Sequence, residues 1–185
     1  MIFAAAALVA LGTTACWRPA GSTPKQQRAA VLEMRDDTLK ELYALSPAAK
    51  KNIQGAVGYA VFSNYNLKIL LVGTGQGYGV AVDNATKKQT FMRMAQGGAG
   101  VGLGYKDFRV IFVFTQREAF DSFVNSGFQM SGQLGAAAKF EDSGGGGSVG
   151  IPVAPGVQAY QLIQNGLMAE VMIMGTKFWK DDDLN

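Results

Sequence analysis

The chain has 185 residues, 48% of them hydrophobic and 17% charged, which is one domain's worth of sequence with enough apolar mass for a core and too apolar to be disordered. Its formal net charge of +3 suits weak attraction to an anionic surface but lacks the clustered Lys/Arg and aromatics of a nucleic-acid footprint, so no nucleic-acid partner is expected. Histidine is absent and cysteine occurs once, which excludes His-based acid/base catalysis, Ser-His-Asp and Cys-His sites and a Cys/His zinc centre; no enzymatic activity, cofactor or metal is expected.

Residues 1–15 are an apolar run, MIFAAAALVALGTTA, too short to span a bilayer and suited to a signal-peptide core. Small residues lead into Cys16, a pattern that resembles a bacterial lipoprotein signal, so Cys16 is the expected lipidation site; ordinary secretion with an unmodified Cys16 is the alternative. Either way export is expected, with anchoring at the outer membrane facing the periplasm if Cys16 is acylated and a periplasmic location otherwise. Residues 16–24 read as a polar tether and 25–185 as the domain.

From Lys25 to Leu45, Val31, Leu32, Met34, Leu39, Leu42 and Leu45 recur at spacings of three and four, which predicts an amphipathic helix. Ser46 and Pro47 supply an N-cap and first position for a short second helix. The period then changes to two. Strands are predicted at 56–62, 67–73, 76–82, 88–95, 98–105 and 108–114, with Asp83-Asn84 as a hairpin turn. Thr115 and Glu118 have the spacing of a capping box opening a helix that carries Ala119, Phe120, Phe123 and Val124 on one face and stops at Gly127. Strands return at about 128–139, 157–163 and 167–175, and Gly144–Gly147 make the 141–150 loop mobile. The sum is an α+β fold: a strongly coiled, barrel-like antiparallel sheet with an N-terminal amphipathic helix and one short internal helix.

The segments GQGYGVAV (75–82) and GGAGVGLGYKDF (97–108) place glycines at every second position. A dinucleotide loop needs glycines at positions one, three and six, which neither segment offers, and a Walker loop needs Gly-Lys-Ser/Thr, which occurs nowhere in the chain. In a strand, even spacing strips one face instead, leaving Gly75, Gly77 and Gly79, and Gly98, Gly100, Gly102 and Gly104, opposite Tyr78 and Tyr105. Gly58 and Tyr59 continue the habit. A bare face suits a sharply coiled sheet, the close approach of a helix, or an apolar trough for an acyl chain.

The order of GYAVF at 58–62, GQGYGVAV, GGAGVGLGYKDFRVIFVF at 97–114, AFDSF, SGQLGAAAKF at 131–140 and the terminal GTKFWKDDDLN resembles the SYLF domain, the lipid-binding domain of yeast actin-patch proteins, their animal relatives and many bacterial secreted proteins. The resemblance implies a non-enzymatic domain that associates with membranes. Eukaryotic members are linked to phosphoinositides and actin, but an exported bacterial chain meets no actin, so the expected partner is membrane lipid, chiefly anionic.

In the family, membrane contact is attributed to a basic amphipathic N-terminal segment, which here implies Lys25, Arg28, Arg35, Lys40, Lys50 and Lys51 as headgroup ligands. Core packing of the same apolar stripe is the competing expectation. The stripped strand face with Tyr59, Tyr78 and Tyr105 is the candidate apolar groove. Asp181-Asp182-Asp183 lack the intervening glycine and turning loop of a calcium site and read as a solvated terminus, and Glu141/Asp142 offer no positioned acid/base pair. The alternative function is a structural or interaction protein of the envelope, contacting another protein or peptidoglycan.

Overall fold

Thr23 sets the first helix, its hydroxyl accepting from Gln26 N at 3.3 Å while Gln26 Oε1 accepts from Thr23 N at 3.2 Å, with Pro24 at the first helical position. In the computed structural model, residues 18–69, 72–99, 104–130, 150–163, 166–167 and 175–185 are described. Helix α1 (Pro24–Leu45) and α2 (Pro47–Gly55) meet at the buried Ser46, where Pro47 breaks the helix and Ser46 N donates to Leu42 O at 2.7 Å. Both follow the predicted boundaries. The stripe Val31, Met34, Leu39 and Leu42 is buried, so the periodicity of α1 reflects packing onto a sheet.

The strands are β1 (Gly58–Ile69), β2 (Val72–Asp83), β3 (Gln89–Ala99), β4 (Gly104–Phe114), β5 (Phe128–Met130), β6 (Ile151–Ala154), β7 (Val157–Ile163), β8 (Gly166–Leu167) and β9 (Thr176–Lys180). They form one antiparallel sheet in the order β5-β9-β3-β2-β1-β4-β7-β6, with β8 on β7. Strands β1 to β3 follow as hairpins and β4 returns beside β1, a Greek-key connection. The expected α+β class with a coiled, curled sheet is what the chain adopts.

Alternation along the strands builds two cores. On one face Phe62, Met92, Met94, Phe112 and Phe178 pack under α3 (Arg117–Ser126), which contributes Phe120 and Phe123. The rings interlock, with centroids 4.8 Å apart for Phe62 and Phe178, 5.3 Å for Phe112 and Phe178 and 5.0 Å for Phe114 and Phe123. On the other face Val61, Val80, Ile111 and Leu162 pack under Val31, Leu42 and Ile53 of α1 and α2.

Several predicted boundaries move. The stretches 56–62 and 67–73 are not separate strands: β1 runs unbroken to Ile69, and 67–73 divides between the end of β1 and the start of β2. Likewise 98–105 is not one strand. Gly98 ends in β3 opposite Gly73 of β2, Gly104 begins β4 opposite Lys68 of β1, and Gly100 and Gly102 lie outside the described residues. Period-two patterning runs on through a hairpin, so alternation alone does not mark where the chain reverses.

The capping box at Thr115 does not form. Gln116 is the N-cap of α3, and Thr115 instead donates from its N at 2.9 Å and its Oγ1 at 3.2 Å to Gly156 O in the β6–β7 turn. A long-range partner outcompetes the local one. Gly127 ends α3 at φ +72, where a Cβ would meet Phe178 O at 2.5 Å, as the predicted stop requires. Strands β6 and β9 are unpredicted, whereas β7 matches 157–163; residues 131–149, including Gly144–Gly147, lie outside the described residues, as does most of 167–175.

Candidate functional site

The bare glycine face is filled at Gly77 and Gly79. Gly75, Gly77 and Gly79 are buried. A Cβ on Gly77 would stand 2.9 Å from Met94 Cγ and press on Ser63 O; one on Gly79 would stand 2.7 Å from Phe62 Cγ and press on Val61 O. The β1 backbone and two core side chains therefore occupy the space, and the missing side chains let β1 and β2 coil tightly. At Gly58 a Cβ would meet Phe120 of α3 at 2.6 Å. Tyr59 and Tyr78 point to the opposite face, half-buried against the core under α1. Burial pushes the Tyr59 phenol up from its ordinary pKa, and Arg35 pulls it back in part. Tyr105 lies in β4, its side chain outside what is described.

The six predicted headgroup residues divide. Lys25, Lys40, Lys50 and Lys51 are exposed. Arg28 donates to Leu184 O at 3.3 Å, and Arg35 pairs with Asp36 at 2.7 Å, so both guanidinium groups have protein partners. Cys16 lies outside the described residues.

The C-terminal acidic run is solvated only in part: Asp182 and Asp183 are exposed, whereas Asp181 is not. Asp181 is 3% exposed and receives both a 2.8 Å bond from Arg93 Nε and a 2.9 Å bond from Arg93 NH2. The same guanidinium reaches Asp183 at 2.8 Å, and these carboxylates hold the Arg93 pKa above its ordinary value, Asp181 most strongly. Asn185 completes a latch on β3, its Nδ2 donating to Phe91 O at 2.8 Å and its Oδ1 accepting from Phe91 N at 3.0 Å. Among the described residues no group of three or more acidic or Cys side chains is placed to hold a metal ion. Glu141 and Asp142 lie outside the described residues.

The β2–β3 turn carries a constellation the sequence reading missed. Asp83 Oδ1 accepts from Ala85 N and Thr86 N, both at 2.9 Å, and its other oxygen receives Arg117 of α3. The Arg117 guanidinium, aided by those backbone donors, holds the Asp83 carboxyl down at about 2. Asn84 Nδ2 donates to Ile53 O at 2.6 Å and Ala56 O at 2.9 Å, fastening the turn to the end of α2. These bonds set the β2–β3 turn, which carries the exposed Lys87 and Lys88, against the end of the helix that carries Lys50 and Lys51. A small open apolar recess of about 170 Å³ lies elsewhere, between α3 and the β6–β7 turn, lined by Phe112, Phe114, Ala119, Pro155 and Val157.

Over 162 residues the chain is 34% identical to Beta cell expansion factor A of Aeromonas veronii, an alignment covering 88% of this chain and 60% of the relative. The chain thus spans about 60% of that protein's length. No family model matches it.

Proposed function

We propose that residues 25–185 form a SYLF-type domain that binds the surface of anionic membranes without catalysis, within an exported protein anchored through an acylated Cys16. The observation that carries this reading is the contrast along α1 and α2. The apolar stripe is consumed by the core, while Lys25, Lys40, Lys50 and Lys51 stand in solvent. A domain of this kind meets lipid by charge at its surface rather than by sinking α1 into the acyl layer. The ordered succession of glycine and aromatic segments supports the SYLF assignment, and the Aeromonas veronii relative, itself bacterial, is consistent with a bacterial setting.

Vesicle flotation tests it. The protein is expected to float with phosphatidylglycerol-containing vesicles at low salt, to be released as salt is raised, and to ignore pure phosphatidylcholine. No flotation with either composition overturns the reading. Mass spectrometry of the mature N-terminus tests the anchor separately, an unmodified Cys16 removing it. A stoichiometric protein adduct in whole-cell crosslinking, with no lipid adduct, would favour the envelope interaction protein instead.

A further inference from the structure

From the geometry of α2 and the β2–β3 turn we infer that the bilayer contact is a composite edge made by Leu45, Lys50, Lys51, Lys87 and Lys88, and not the length of α1. The inference rests on the membrane reading above and names its surface. Its first support is covalent order combined with docking. The sequence contains no Asp or Glu between Glu41 and Asp83, so the charged residues of α2 are Lys50 and Lys51 alone, and the Asn84 amide bonded to Ile53 O and Ala56 O holds the turn that carries Lys87 and Lys88 against the end of that helix. Asp83, the carboxylate of the turn itself, is taken up by Arg117. Among the described residues none of Lys50, Lys51, Lys87 and Lys88 is in an ion pair.

Its second support is apolar. Leu45, 48% exposed, is the exposed large hydrophobic side chain among the described residues, and Ala44, Pro47 and Ala48 around it are also exposed. An acidic protein or polyanion would be met by the lysines alone. An anionic bilayer offers headgroups to the lysines and an acyl boundary to the corner between α1 and α2, so it is the occupant that fits both.

Its third support is backbone conformation. Lys87 sits at φ +60, the left-handed region ordinarily given to Gly or Asn. An asparagine would sit there with less strain, so the fold of the turn gains nothing from a lysine at this position.

The test uses the full chain and phosphatidylcholine vesicles with or without phosphatidylglycerol. K87Q/K88Q is expected to weaken binding to the anionic vesicles on the order of tenfold at low salt, and K25Q/K40Q on α1 much less. Lys87→Asn is expected to keep or raise the thermal midpoint while losing affinity, which a merely structural turn residue would not do. Leu45→Ser is expected to lower the binding that survives in high salt. Wild-type protein that binds neither vesicle sinks the parent reading. Wild-type binding that K25Q/K40Q abolishes and K87Q/K88Q spares sinks this edge alone. Displacement from vesicles by polyglutamate or duplex DNA, with Leu45→Ser indistinguishable from wild type, overturns the bilayer in favour of an acidic macromolecule.

Discussion

Gly79→Ala separates a packed glycine face from an open lipid trough. The added Cβ would lie 2.7 Å from Phe62 Cγ, about 0.7 Å inside the 3.4 Å at which ordinary contact begins, and would also press on the Val61 carbonyl. Phe62 cannot yield cheaply, because its ring is fully buried and sits 4.8 Å from Phe178, 6.1 Å from Phe123 and 6.2 Å from Phe112. The Val61 carbonyl belongs to the β1 backbone and moves only with its strand. Overpacking a core by one methyl costs about 1–3 kcal/mol, and the backbone contact puts this site at the upper end. At about 2–4 °C per kcal/mol for a chain of this size, the thermal midpoint should fall by about 6–12 °C. Gly97→Ala is the matched control, since nothing lies within 4 Å of its Cβ; it should change stability by less than about 0.5 kcal/mol. Melts followed by circular dichroism, with vesicle flotation on the same samples, read both properties. A Gly79→Ala protein with an unchanged midpoint and lost lipid binding would refute the packing account and reinstate the groove.

Three further outcomes follow from the polar contacts. The Asp83 carboxyl lies at about 2 against an ordinary 3.8, so its contribution to stability is full above about 3.8 and is lost as pH falls through 2. The gap in melting temperature between wild type and Arg117→Gln should accordingly be constant near neutrality and close on acidification from about pH 5 to 2; a gap independent of pH would mean the pair contributes only packing. Arg93→Met strands the buried Asp181 carboxylate and should cost about 3 kcal/mol in urea unfolding, with Asp181→Asn added to it recovering part of the loss. Asn84→Ala removes the two bonds to Ile53 O and Ala56 O, costing about 1–2 kcal/mol, and should also reduce vesicle affinity though every lysine remains. Unaltered affinity there would disconnect the turn from the binding edge.

Much of the fold was legible because its signals are local. The spacing of Val31, Leu39 and Leu42 specified α1, Pro47 the break before α2, and Gly127 the end of α3. Alternation identified the sheet and even which glycines share a face. It misplaced the reversals between β1 and β2 and between β3 and β4 because the strands on either side of a reversal keep the same period. The capping box at Thr115 failed because Gly156, forty-one positions away, offers its carbonyl to the same residue.

The candidate site was legible only in part. Lys50 and Lys51 stand out in the chain as a pair, but nothing near Lys87 and Lys88 says that Asn84 fastens them to α2. The acidic terminus reads as solvated until Arg93, eighty-eight positions earlier, is found beside Asp181. Composition alone removed histidine chemistry and set the apolar content, and periodicity alone set helix, sheet and the stripped strand face, since each depends on neighbours along the chain. What fills that face, where the β2–β3 turn docks, and whether Asp181 keeps company with water or with a guanidinium were decided by the tertiary structure, because those energies belong to contacts between strands and helices far apart in the chain.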